Sequence, residues 1–96
     1  NNVNLEFLSC KVTQIISLDL SDNSNLYALD CSNNQQLSEL NVRNGNNSNF
    51  FYWHGAVSFY TQNTPNLTCI NVDDAVWSTA NWTGIDPQHY FSEQCP

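Results

Sequence analysis

Basic side chains are almost missing from this chain: Lys11 and Arg43 stand against nine acidic residues, for a formal net charge of −7. That balance repels the phosphates of DNA and RNA. With no cluster of Lys or Arg, there is also nothing to hold an anionic membrane surface. Long apolar runs are missing too. None approaches the roughly 20 residues needed to cross a bilayer, so membrane insertion is not expected. The start, Asn1-Asn2-Val3-Asn4, has neither the basic nor the apolar region of a signal peptide. Only three glycines occur, and the lack of any Gly-rich loop excludes the usual nucleotide signatures. There is no C-x-x-C pair, and His54 and His89 lack metal-ligand spacing, so no zinc site is expected. Neither a nucleophile with its base nor an open metal site is visible. The sequence therefore points to no cofactor, no catalytic residue and no enzymatic activity.

What is present is asparagine, in abundance. Charged residues make up only 11% of the 96 residues, so amides and hydroxyls supply the polarity. Asn tolerates left-handed backbone angles and bonds to neighbouring backbone groups, which suits many repeated tight turns. A chain of this length fits one domain and buries only a modest share of its surface, so repeat stacking or covalent staples should support it.

A repeat is legible. The frame L-x-x-L-x-(L/C)-x-x-N runs through Leu5, Leu8, Cys10; then Ile15, Leu18, Leu20, Asn23; then Leu26, Leu29, Cys31, Asn34; then Leu37, Leu40, Val42. The text itself recurs, "LDLSDNSNL" followed by "LDCSNNQQL". Two such half-units make a coil of about 21 residues, within the leucine-rich-repeat range. The second and third apolar positions lie two apart and so face one side of an extended segment. An amphipathic helix fails as an alternative, because the apolar residues fall at offsets of about 0, 3 and 5. Asn23 and Asn34 sit where the chain must turn, and an inward amide there can satisfy backbone groups of adjacent coils.

Four cysteines allow three disulfide connectivities. Cys10 and Cys31 share the third apolar position of their coils and should stack inside as small buried hydrophobes. A Cys10–Cys31 bond is the rival reading, since adjacent coils lie close enough for it. Cys69 and Cys95 fall outside the frame and bracket the tail, which makes them the preferred disulfide.

The repeat, together with the tail, resembles the secreted leucine-rich-repeat proteins of Bacteroidetes-type bacteria, related in repeat style to the cysteine-ladder internalins. The tail carries Asn-Gly-Asn-Asn at 44–47, Pro65-Asn66-Leu67-Thr68-Cys69-Ile70, Val72-Asp73-Asp74, Asn81-Trp82-Thr83, Ile85-Asp86, Phe91-Ser92 and Cys95. The resemblance implies a ladder of reduced thiols at Cys10 and Cys31 and a C-terminal cap over residues 66–96. It also implies export by the type IX route, with further domains in the parent protein. The expected fold is accordingly an α/β-type leucine-rich-repeat solenoid of short strands and turns over residues 1–65, with a short helix in the cap. One stretch departs from the pattern: residues 49–60 carry six aromatics and place Tyr52 where a Cys is expected, so the last coil, about 44–65, should be irregular.

In the cap, Asp73 or Asp74 can accept the free amides of a helix over Ala75 to Trp82, and Gly84 can end it. Trp77 and Trp82 should press onto the coil below, with Ile85 and Phe91 closing the edge. Asp73, Asp74 and Asp86 also offer the oxygens calcium takes, but helix capping explains the pair more simply. The glycosylation triplets at Asn46, Asn66 and Asn81 arise easily by chance in an Asn-rich chain.

The function expected is recognition of a protein or glycan outside the cell, by a secreted or cell-surface binding module. Phe7, Ser9 and Lys11 would line its concave face with Ala28, Asp30 and Ser32. Phe51, Tyr52, Trp53, His54 and Tyr60 add aromatic candidates unless these rings complete the core. The alternative is a structural cap or stalk of a longer array, suggested by the mid-pattern start at Leu5. A weaker reading makes the chain the tail of an enzyme whose catalytic domain lies upstream.

Overall fold

The inward apolar positions of the repeat decide the strands. Leu8, Leu18, Leu29, Leu40 and Ile70 each stand at the centre of a three-residue strand, and the alternation of extended chain turns both flanking residues outward. The computed structural model describes residues 6–9, 14–50, 52–53 and 56–96. The strands are β1 (Phe7–Ser9), β2 (Ser17–Asp19), β3 (Ala28–Asp30), β4 (Glu39–Asn41), β5 (Tyr52–Trp53), β6 (Ala56–Val57), β7 (Phe59–Tyr60), β8 (Cys69–Asn71) and β9 (Tyr90–Ser92). One α-helix, α1 (Ala75–Asn81), and a 3-10 turn at Asn47–Asn49 complete the described elements.

Successive units of the repeat do not join one sheet. They alternate between two parallel sheets, ordered β1-β3-β7 and β2-β4-β8-β9, while β5 and β6 form a separate antiparallel pair. The expected leucine-rich-repeat solenoid with a single concave face is therefore corrected to a small α/β protein with two parallel sheets and one helix. Its extents of 30 × 29 × 27 Å are nearly equal. The physical reason lies in the unit length. Ten or eleven residues give each unit its own strand and its own turn, so neighbouring units face each other across the core.

Leu20, Leu26, Leu29, Cys31, Leu37, Leu40, Val42, Leu67, Ile70 and Val72 fill the space between the sheets, all almost fully buried. Burying each large aliphatic chain stabilises by about 1.5–3 kcal/mol. Cys10, expected beside Cys31, lies outside the described residues.

The aromatic stretch settles into a register the repeat did not predict. Leu29 pairs with Phe59 and Asp30 with Tyr60, so the position after Cys31 in its column is Thr61, not Tyr52. Tyr52 pairs instead with Val57, and Trp53 with Ala56, in the β5–β6 hairpin. This insertion takes up the extra chain between residues 29 and 59. Phe50 and Phe59 then complete the core with Trp82 and Phe91. Phe59 stacks on Trp82 at 3.9 Å and 9°, and Phe50 tilts against the same indole at 4.9 Å.

Corners are closed by side-chain amides and carboxylates. Asn33 and Asn63 hold left-handed backbone angles (φ 64° and 62°), as does Gly45 (φ 78°). These are conformations that Asn and Gly adopt at low cost. The buried Asn34 amide donates to the carbonyls of Cys31 and Ser32 within its own turn. Bonds that cross between units come from Asn44 to the Asn23 carbonyl (2.9 Å), Asn46 to the Leu26 carbonyl (2.9 Å) and Asn66 to the Gln35 carbonyl (3.1 Å).

Residues 66–96 are continuous with this architecture: β8 and β9 extend the second sheet. Asp74 caps α1 by accepting the Val76 and Trp77 N–H groups. Gly84 does not end the helix, which stops at Trp82. It bridges Tyr60 instead, and a Cβ there would stand 2.7 Å from the Tyr60 ring and 2.8 Å from the Phe59 carbonyl oxygen. Cys69 and Cys95 form a disulfide.

Two stability results should follow. Gly84→Ala should destabilise by about 1–3 kcal/mol through overpacking, read as a lower urea midpoint; an unchanged midpoint would mean that the close approach to Tyr60 carries no strain. Removing the disulfide by the double substitution Cys69→Ser, Cys95→Ser should cost about 3 kcal/mol, because it frees a long loop in the unfolded chain.

Candidate functional site

Outward residues of β2, β4, β8 and β9 line a groove of about 610 Å3. Two rows cross its floor. One runs through Ser17, Glu39, Cys69 and Tyr90, and the other through Asp19, Asn41 and Asn71. Neighbours in each row sit about 4.8 Å apart, the strand spacing of a sheet. The C-terminal tail forms one wall: Cys95 and Pro96 line the groove, held there by the disulfide and by the Cys95 N–H donating to Asn71 Oδ1 at 2.7 Å.

The end-of-row groups divide their hydrogen-bonding capacity. Asp19 Oδ1 accepts the Ser21 N–H, and Asn41 Oδ1 accepts the Arg43 N–H. The Ser21 hydroxyl and N–H hold the Asp19 carboxyl below its ordinary range. Asn41 and Asn71 both line the groove, the Asn71 oxygen accepting the Cys95 N–H. Tyr90 is half exposed.

The residues singled out from sequence lie elsewhere. Phe7 and Ser9 are exposed on β1, on the outer face of the other sheet, with Ser9 in register with Asp30. Ala28, on the central strand of its sheet, is buried at 5% exposure, contrary to its expected place on an open face. Asp30, Ser32 and Tyr60 are brought together in a second depression of about 340 Å3 with Asn33, Gln62 and Asn63. Asp30 Oδ1 accepts the Ser32 N–H there. Tyr52 and Trp53 form one strand of the hairpin. Lys11, Phe51 and His54 lie outside the described residues.

The residues of this groove are the outward flanks of units other than those centred on Leu8 and Leu29. The flanks of Leu18 and Leu40 carry the same signal, and they place Ser17, Asp19, Glu39 and Asn41 on one face.

The carboxylates considered for calcium are committed to the backbone. Asp73 accepts the Gly45 and Asn47 N–H groups (both 3.1 Å), Asp86 accepts those of Asn63 and Thr64 (both 2.9 Å), and Asp74 caps α1. Among the described residues no three His, Cys, Asp or Glu side chains converge as metal ligands. The amide nitrogens of Asn46, Asn66 and Asn81 each donate to a backbone carbonyl.

His89 is a buried structural group. Its Nδ1 accepts the Asp86 N–H at 3.1 Å, which leaves the proton on Nε2 to donate to Thr64 Oγ1 at 3.0 Å; the Thr64 hydroxyl in turn donates a hydrogen bond to the Thr61 carbonyl at 2.6 Å. Burial pushes the imidazole below its usual value, only partly opposed by the Asp86 carboxylate and Thr64. Burial pushes the Asp86 carboxyl up, but the Thr64 and Asn63 N–H groups, Gln88 and His89 together bring it below the usual carboxylate range.

No known protein family, curated protein or solved structure matches the chain, so the family resemblance rests on its motifs alone. The disulfide is compatible with an extracellular protein. Among the described residues no helix is long and apolar enough to cross a membrane.

Acid should destabilise the fold in two steps. Below about pH 6.5 the unfolded chain takes up a proton at residue 89 that the folded chain refuses, so stability falls as pH drops. Below about pH 4 the lowered Asp86 value adds a further loss. Urea midpoints from pH 7.5 to 5 should decline in the parent and in His54→Gln, and flatten in His89→Gln. A decline of equal slope in His89→Gln would remove His89 as the cause.

Proposed function

We propose that the chain is a non-catalytic binding module that works outside the cell, secreted or at its surface, and takes its ligand in the groove of the β2-β4-β8-β9 sheet. The observation that carries this reading is a groove of about 610 Å3 lined by polar side chains of four paired strands. Backbone strands fix the positions of Glu39, Asn41, Asn71 and Tyr90, so little ordering cost accompanies binding. Pockets of this size on a rigid scaffold are the usual places of ligand recognition. The disulfide supports an oxidising compartment, and the resemblance of the tail to exported bacterial proteins points the same way. A binding role in preference to catalysis is supported by the engagement of His89, Asp73, Asp74 and Asp86 in structural hydrogen bonds.

The test is capture from an array of soluble polysaccharides and of basic and neutral peptides by the full chain. Glu39→Trp fills the groove from its solvent side without touching the core, and should lower retention at least tenfold. Ser9→Trp, on the opposite sheet, should leave retention unchanged. Loss in Ser9→Trp alone would move the site to the β1-β3-β7 face, and capture of nothing on the array would sink the binding reading.

A further inference from the structure

The order β2-β4-β8-β9 leaves β2 at an edge of its sheet, paired on one side only. Toward β4 the Ile16 carbonyl accepts the Ser38 N–H, and the Leu20 N–H donates to the Asn41 carbonyl. Alternation along the strand turns the N–H and C=O groups of Ser17 and Asp19 the other way, where no described backbone group pairs with them. The core beneath this edge is open as well. Leu18 is only half-buried, whereas Leu40, its partner on β4, is 2% exposed, and Ile16 is 61% exposed. On the outward side the charge is of one sign. Asp19 and Glu39 are exposed there, and the groove lining includes no Lys or Arg. Ser17 stands in register between the edge and Glu39, and its small side chain leaves the path to that carboxylate clear. Glu39 forms no ion pair among the described residues.

We propose that β2 takes an extended basic peptide as a further strand, with apolar side chains packed beside Leu18 and alternate Lys or Arg side chains facing Asp19 and, across Ser17, Glu39. The proposal rests on the binding-module reading and names the ligand as a cationic strand. The peptide backbone supplies partners for Ser17 and Asp19, the mode of strand addition that an open edge permits. A cation directly opposite Asp19 lies at the cross-strand distance of about 5 Å, where opposite charges attract. Glu39 is two strand spacings from the added strand, about 10 Å, within reach of a Lys or Arg stem lying over Ser17. Charge also selects against a second copy of this chain at the edge, since each copy carries a net charge of −7. The ligand runs along β2, so it meets neither β8 nor the tail that Cys95 holds there.

Fluorescence anisotropy of the full chain with a capped, labelled peptide of alternating lysine and valine tests it. The same peptide N-methylated along its backbone keeps the charge and loses the N–H groups that an added strand needs. Affinity should drop at least tenfold for the N-methylated peptide, in Ser17→Pro, and in the double variant Asp19→Asn, Glu39→Gln. Proline is tolerated on an edge strand where the missing N–H faces outward, and Asp19→Asn keeps the oxygen that accepts the Ser21 N–H. Glu6→Gln removes an exposed charge beside the other sheet and should leave affinity unchanged. Near-ultraviolet circular dichroism confirms folding of each variant, and the N-methylated peptide tests the edge with the protein unaltered. Equal affinity for both peptides would show attraction by net charge alone and overturn strand addition. If the peptide does not bind but the array yields a ligand that Glu39→Trp releases, the ligand class is wrong and the groove reading survives. If neither finds a ligand, both fall together.

Discussion

The closing of corners is the constraint on which the rest of this fold depends. Strands of three residues bring the chain to a turn every ten or eleven residues, and each turn leaves backbone N–H and C=O groups near the core. A buried group left unpaired costs about 1–3 kcal/mol, so a body with this many turns must supply partners at each one. Asn44, Asn46 and Asn66 do so by reaching carbonyls of other units. Two aspartates do so at the ends of the columns: Asp73 takes the Gly45 and Asn47 N–H groups, and Asp86 takes those of Asn63 and Thr64. The two carboxylates occupy equivalent places at the corners of the two sheets.

Much of this was legible in the residues. The spacing of Leu8, Leu18, Leu29 and Leu40 marks the strand centres, and Asp74 marks the start of α1. Cys69 and Cys95 are identifiable because they fall outside the frame. What the spacing does not reveal is which strand lies beside which. A period of about eleven residues is compatible with one sheet or with two, and the choice depends on where the turns point, a tertiary property. The register of the irregular aromatic stretch is hidden for a related reason. Column position is a matter of pairing, and the β5–β6 hairpin shifts that pairing, so Thr61 and not Tyr52 follows Cys31. The local sequence suggests Gly84 as a helix stop, while its actual constraint is the Tyr60 ring.

The inserted hairpin and the second sheet's last strand have a common consequence. Phe50, Phe59, Trp77, Trp82 and Phe91 gather where the regular aliphatic columns end. Rings bury more area per residue than aliphatic chains, so a few of them suffice to close an irregular end. The closure has a cost: the Trp82 indole N–H and the Ser78 hydroxyl are buried without a hydrogen-bond partner among the described residues. Stacking of Trp82 on Phe59 and its edge contacts with Trp77 and Phe91 offset that cost.

The same economy of polar groups separates the two outer faces. On the β1-β3-β7 side the central strand is covered at Ala28, and Asp30 turns back on Ser32, so the face is shallow. On the β2-β4-β8-β9 side the four strands are longer in aggregate, and the disulfide-held tail raises a wall beside β8. Asn41 and Asn71 use their oxygens for the chain and retain their nitrogens. Asn41 closes its own turn, whereas Asn71 holds the tail, and the two residues lie in register. The arrangement that holds the fold together thus also sets the spacing of the polar groups along this groove.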